Sequence, residues 1–219
     1  MTQVKICGLC RAQDAATAAA SGARYLGVVL SACGPRAQEP AGASAVLRER
    51  GGAAAVGVFV GEAPERVARM AELLSLDVVQ LHGDEQPSTI AALRRLTDAA
   101  VWKAVRVRDA AAARRDIVRF AEHVDGVLLD GWSAGALGGS GTRFAWDALT
   151  DVRRLLPAGV QLIAAGGLDA GNVGEAIAAL EPDVVDVSSG VEVRPGEKSE
   201  AKVRAFIASA RRALREAAE

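Results

Sequence analysis

Short apolar runs recur along the chain at a nearly regular interval, each ending on a glycine, a polar residue or a charge. They cover residues 4–7, 25–30, 54–60, 78–81, 101–107, 126–130, 160–165 and 184–187. Near-continuous apolarity over so short a length is the pattern of a strand buried on both faces. Between the runs lie stretches of good helix formers with helical spacing, at 11–21, 43–50, 64–74, 87–96, 109–121, 146–155, 172–180 and 199–216. Pro64 and Pro87 stand where a helix tolerates proline best, at its first position. Eight strands alternating with eight helices predict an α/β chain folded as a (β/α)8 TIM barrel, with residues 1–219 as a single domain. A doubly wound parallel sheet is the rival, but it usually holds fewer strands. Gly51-Gly52 reads as a helix stop rather than a linker.

The connections are unequal. Those after strands two, six, seven and eight are long and rich in Gly, Ser and Pro, whereas those returning from helix to strand are mostly short. In a barrel the first set forms the catalytic face. Cys7 closes the first strand, and Lys5, two residues back, shares its face one layer deeper. A buried lysine needs a partner. Asp186, in the strand that neighbours the first once the ring closes, is the expected one, as a structural ion pair. Asp130 closes strand six, three places round the ring from Cys7. The thiol and the carboxyl then face each other across the mouth and suit a general base and a general acid. Arg36, in the loop after strand two, suits a carboxylate, which an arginine grips with two parallel hydrogen bonds. A solvated loop arginine is the plainer alternative.

Gly166 and Gly167 follow strand seven, and Ser188, Ser189 and Gly190 follow strand eight. Two such loops after the last two of eight strands predict a phosphate site built from backbone N–H groups and hydroxyls. Gly138-Gly139-Ser140-Gly141-Thr142 is either a third anion loop, with Gly141 at the substrate, or a cover. His82, at the end of strand four, is expected to hydrogen-bond a neighbouring loop rather than to react, and His123 falls on the opposite face of the barrel.

Composition removes whole classes of function. A net charge of −1, from 26 basic and 27 acidic residues, gives no basic surface for nucleic acid or for a membrane. Aromatic residues are only 4% of the chain, too few for a platform that stacks single-stranded bases. No apolar run nears the roughly 20 residues that span a bilayer, and no signal or transit segment is expected. Three cysteines are too few for a disulfide scaffold and fit a cytoplasmic location. Cys7 and Cys10 form a CxxC, but a zinc site needs four ligands, and only Cys33, His82 and His123 remain to complete it. No metal is expected.

Taken together, these residues resemble phosphoribosylanthranilate isomerase, a barrel family of tryptophan biosynthesis. The resemblance rests on Lys5-Ile6-Cys7-Gly8 with Asp14-Ala15, Gly57-Val58-Phe59, Gln80-Leu81-His82-Gly83, Lys103-Ala104 with Arg106-Val107, and Leu128-Leu129-Asp130. It continues through Gly138-Gly139-Ser140-Gly141 with Phe144 and Trp146, Ala165-Gly166-Gly167-Leu168 with Asn172-Val173, and Asp186 to Glu192 with Pro195-Gly196 and Lys198. It implies a small-molecule substrate, phosphoribosylanthranilate, and a cofactor-free Amadori rearrangement by a monomer or a homodimer. By the same resemblance Asp130 is the general acid and Cys7, as thiolate, the general base. Arg36 would hold the anthranilate carboxylate and the loops after strands seven and eight the phosphate. Departures from the family are Gly34, where serine is usual, Leu30, where phenylalanine is common, and Ala145, where aspartate is common.

Three alternatives remain open at this point. Indole-3-glycerol-phosphate synthase would be expected to use a lysine acid at a strand end, and the histidine-pathway isomerase an aspartate at the end of strand one, where this chain has Cys7. A barrel that only binds a phosphorylated ligand would not need Cys7, Asp130 and Arg36 together. A free cysteine titrates near about 8.5, so something must favour its thiolate. The sequence does not name that group.

Overall fold

A computed structural model describes residues 2–31, 34–131 and 146–216. Eight parallel strands close into a barrel in chain order: β1 (Gln3–Ile6), β2 (Tyr25–Val29), β3 (Ala54–Phe59), β4 (Val78–Leu81), β5 (Ala100–Val107), β6 (Gly126–Gly131), β7 (Gln161–Ala164) and β8 (Val184–Val187). The expected runs and the observed strands differ by at most one residue at either end, and those of β4 and β8 coincide. β1 pairs with β2 on one side and with β8 on the other, Lys5 lying opposite Asp186. A parallel pair cannot be joined by a tight turn, so each connection from one strand to the next is a crossover.

Among the described residues six α-helices make crossovers, α1 (Ala12–Ser21), α2 (Pro40–Leu47), α3 (Pro64–Leu73), α4 (Pro87–Leu93), α5 (Ala110–Ala121) and α6 (Val173–Leu180), and a seventh, α7 (Glu200–Glu216), follows the last strand. Three begin on proline, each after a residue in extended conformation (Glu39, Ala63, Gln86), because proline both fits the first helical turn and bars its predecessor from helix. The second helix accordingly starts at Pro40 rather than at the expected residue 43, and its last turn tightens to a 3-10 segment, Arg48–Arg50. The stretch 146–155 is not the α-helix its composition suggests. It forms two 3-10 turns, Trp146–Leu149 and Val152–Leu155. Arg114 of α5 donates to the Ala148 carbonyl at 2.8 Å and to both oxygens of Asp151. A carbonyl taken by a neighbouring helix competes with the backbone ladder that would carry helix through this point.

Strand alternation separates two apolar layers. Outward side chains such as Leu26, Val79, Val127 and Leu162 join the helices in the larger core. Inward ones, among them Val56, Trp102, Leu128 and Ile163, fill the barrel. Counting by twos from these inward positions puts Lys5, Cys7, Gln80, His82, Asp130, Asp186 and Ser188 on the inner face as well. Nothing in the apolar pattern points to the opposite rim, where a repeated device ties the strands. Asp77, Asp125 and Asp183 each precede an even-numbered strand, and each carboxylate accepts from the amide of a residue at the start of the strand before it: Ala55, Val101 and Leu162.

Closing the ring also needs α7, which packs against α1 and α6 and buries Phe206 completely. Phe206→Ala is expected to destabilise the fold by about 3–5 kcal/mol, the usual cost of emptying an aromatic site in a packed core. Equilibrium unfolding in urea measures it.

Candidate active site

The inner face of the barrel carries two clusters of polar side chains at the carboxyl ends of the strands. The first is built on β1, β8 and the chain just beyond β8. Lys5 is wholly buried, and its Nζ lies 2.9 Å from Asp186 Oδ2, so the expected ion pair is present. Cys7 follows one layer up, its backbone N–H donating to Val187 O at 2.9 Å and the residue 8% exposed. Gly27 is the residue of β2 next to it. A Cβ placed there would meet Cys7 Sγ at 3.0 Å and Lys5 Cε at 3.3 Å, so the thiol and the lysine share the space that a side chain would otherwise fill.

Above this pair lies a second carboxylate, Glu192, which the spacing along the chain does not place in the site. Residues Glu192–Arg194 and Glu197–Lys198 form a small antiparallel hairpin, β9 and β10. Arg11 holds the hairpin, bonding Asp14, the Lys198 carbonyl and Glu197, while Asp14 accepts from the Lys198 amide. The fold-back brings Lys198 Nζ to 2.7 Å from Glu192 Oε1 and 3.1 Å from the Ser188 carbonyl. Arg36 donates to both Glu192 oxygens, from Nε at 2.8 Å and from Nη2 at 2.7 Å. The carboxylate that Arg36 grips here is therefore the chain's own. Of its five N–H donors two are spent, and the outer edge of the guanidinium still has a pair to offer. Gly34, the departure before Pro35-Arg36, has φ +115°, a conformation that L side chains rarely adopt.

The second cluster lies on β4 and β6. Gln80 Nε2 is 2.9 Å from His82 Nδ1, and His82 Nε2 is 3.1 Å from Asp130 Oδ2. With Gln80 donating, the ring keeps its hydrogen on Nε2 and gives it to the carboxyl. The expectation that His82 bonds a neighbouring loop is thus corrected: its ring reaches the candidate acid itself. The signal was available, since Val78, Gln80 and His82 alternate onto the same face. Asp130 is 5% exposed, buried but not sealed. It sits three strands from Cys7 round the closed ring, on the same inward parity.

Gly166, Gly167, Ser188, Ser189 and Gly190 are all part-exposed, while Ala165, Leu168, Val187 and Val191 beside them are buried. A Cβ on Gly190 would lie 2.0 Å from the Leu168 carbonyl oxygen, and one on Gly166 would lie 2.2 Å from the Gly131 amide. Glycine is what lets the loops after β7 and β8 pack backbone to backbone against each other and against the end of β6 at Gly131. Gly141, together with Cys33, lies outside the described residues. The other CxxC cysteine, Cys10, turns away from Cys7 to the Arg36 carbonyl at 3.6 Å.

Electrostatics differ between the groups. Burial works against a charge on Glu192, but hydrogen bonds from Arg36 and Lys198 outweigh it and hold the carboxyl below the usual glutamate range. Burial lowers Lys198, with Glu192 pulling the other way. For Cys7 burial pushes the thiol up and Asp186 adds to it, while Lys5 and Lys198 pull down; the balance leaves it above the ordinary thiol range.

Comparison with known proteins places this geometry. A family model described as N-(5'phosphoribosyl)anthranilate (PRA) isomerase matches residues 4–209. The chain belongs to this family. The N-(5'-phosphoribosyl)anthranilate isomerase of Rubrobacter xylanophilus is 41% identical over 217 residues, covering 96% of this chain and 100% of the relative. The crystal structure of phosphoribosyl anthranilate isomerase from Thermotoga maritima superposes with a TM-score of 0.87 at 34% identity, covering 96% of this chain and 99% of the other. A phosphoribosyl anthranilate isomerase in complex with reduced 1-(o-carboxyphenylamino)-1-deoxyribulose 5-phosphate gives a TM-score of 0.84 at 32% identity, over 96% of this chain and 99% of that one. Within the family's barrel, Glu192 and Lys198 stand in the sequence only as letters of a motif, because their partners are Arg36 and Ser188, distant in the chain.

The depressed carboxyl of Glu192 gives a stability prediction. A group whose folded pKa lies below its unfolded one stabilises fully above the unfolded value, about 4.3 for glutamate, and loses that contribution as pH falls through the folded value. Glu192→Gln is therefore expected to cost about 1.5–3 kcal/mol at neutral pH, the scale of hydrogen bonds to a charged group. The gap to wild type should close in acid, and urea unfolding at a series of pH values checks it.

Proposed function

We propose that this chain converts N-(5'-phosphoribosyl)anthranilate to 1-(2-carboxyphenylamino)-1-deoxyribulose 5-phosphate by general acid–base catalysis, with Asp130 as acid and Cys7 as base. The observation that carries the reading is the placement of one thiol and one carboxyl at inward strand ends on opposite arcs of a single ring. His82 occupies Asp130 Oδ2, so a proton on the acid sits on Oδ1, the oxygen that lies toward Gly166. Asp130 gives that proton to the ribose ring oxygen as the C1′–O bond breaks and the anilino nitrogen lone pair forms the iminium. The Cys7 thiolate takes the proton from C2′, and the C–H electrons close the C1′–C2′ double bond while the iminium pair returns to nitrogen. The enolamine then tautomerises, losing the O2′ proton and gaining one at C1′, to the aminoketone.

Around that chemistry Arg36 presents its outer edge to the anthranilate carboxylate, braced from behind by Glu192. The phosphate rests against Gly166, Gly167, Ser188, Ser189 and Gly190, whose part-exposed backbone and hydroxyls line the mouth. Among the described residues no helix is long and apolar enough to cross a membrane.

Turnover of phosphoribosylanthranilate, followed by loss of its fluorescence, tests the roles. Cys7→Ser and Asp130→Asn are each expected to cut kcat by at least about 10²-fold, the range that acid–base groups supply. Competitive inhibition by inorganic phosphate should stay near the wild-type value in both. Turnover near the wild-type rate in either variant defeats the assignment.

A further inference from the structure

A thiol that acts as a base at neutral pH must be brought to its thiolate, and burial at the end of β1 opposes this. The charged groups that face Cys7 come from four elements. Lys5 lies below it on β1, Asp186 on β8 beside Lys5, Lys198 on β10, and Arg36 in the loop after β2, the last two sharing Glu192. Glu192 screens both Lys198 and Arg36, since each spends hydrogen bonds on it. Lys5 differs. It is 0% exposed, its ammonium bonds Asp186 Oδ2, and its stem borders the same Gly27 space as the sulfur.

We infer that Lys5 is a positioning residue for the base: its ammonium is the counter-ion that makes the Cys7 thiolate reachable, and Asp186 sets how much of that charge the sulfur receives. The inference rests on Cys7 as the base in the proposed function. Asp186 Oδ1 is buried with no hydrogen-bond partner among the described residues, so that carboxylate leans on Lys5. Lys5 thus stands between the Asp186 carboxylate and a sulfur that is charged only when the thiol ionises. Burial lowers its pKa, yet Asp186 and Cys7 together hold it above the ordinary lysine range. No proton leaves Lys5 during the reaction. When the thiolate takes the C2′ proton it becomes neutral, and the ammonium relaxes toward Asp186.

A purely structural ion pair leaves the thiol titration unmoved, whereas in this arrangement the two partners act on the sulfur with opposite sign. The experiment titrates the ultraviolet absorbance of the Cys7 thiolate without substrate, subtracting the Cys7→Ser titration, in wild type, Lys5→Met, Asp186→Asn and the double variant. The rising limb of kcat/KM against pH is recorded alongside. Lys5→Met should move both titrations to higher pH and Asp186→Asn to lower pH, with the double variant between. The thiolate fraction at neutral pH should change on the order of tenfold each way, as expected for loss of one adjacent charge. Titrations that stay put, or that shift in the same direction in both single variants, overturn the inference. Where Lys5→Met fails to fold, Asp186→Asn decides, since an unmoved or raised titration there is sufficient to overturn it. Because the absorbance is read without substrate, failure of Cys7 as base, seen as full turnover by Cys7→Ser, is told apart from failure of Lys5 to act on it.

Discussion

Ring closure brings the first and last strands together, and a buried charge pair lies on that seam. Lys5 and Asp186 are 181 residues apart and 2.9 Å across. A lysine with no exposure and no partner would be costly enough to open the barrel or lose its proton. Its presence therefore demands that β8 return to β1 in one register, with Lys5 opposite Asp186. A slip of one residue would turn Asp186 outward into the helix layer and leave the ammonium inside alone. Everything above the seam inherits that register: Cys7 on β1, Ser188 on β8, and the hairpin that carries Glu192 and Lys198 back over them.

Seen from the mouth, the site is two arcs with different chemistry. On the β1–β8 arc, cations and carboxylates are paired so closely that most of their charge is spent locally. Glu192 accepts from Arg36 and Lys198 together, and Arg36 keeps only one edge for an outside carboxylate. On the β4–β6 arc Gln80, His82 and Asp130 form a chain of hydrogen bonds ending on the Asp130 carboxyl. This division suits a reaction that needs a thiolate on one side of a sugar and a carboxyl acid on the other. Cations gather round the sulfur, whereas the side chain that bonds the carboxyl is an imidazole rather than a lysine or arginine.

The rigid parts are backbone contacts as much as side chains. The loops after β7 and β8 touch at Gly190, and Gly166 meets the end of β6 at Gly131, at distances no Cβ allows. On the opposite rim, Asp77, Asp125 and Asp183 stitch β4, β6 and β8 to the strands before them. One face of the barrel is thus held by carboxylates on amides, and the other is left with part-exposed glycines and serines for a ligand.

The period of the apolar runs, the prolines Pro64 and Pro87 at two helix starts and the identity of the residues closing each strand were legible in the sequence, because alternation and capping are local. From them came the barrel, the inward parity of Lys5 and Cys7, the Lys5–Asp186 pair and the candidate acid and base. What the tertiary structure alone decided was partnership. Arg36 meeting Glu192, His82 meeting Asp130, Arg114 reaching the Ala148 carbonyl and Asp151 beside the two 3-10 turns, and Lys198 folding back on Ser188 all join residues from different elements. Local spacing tells which way a side chain points. Which charge it meets is set by ring closure and by how the loops pack, and that depends on distances through space to which neighbouring residues in the chain are blind.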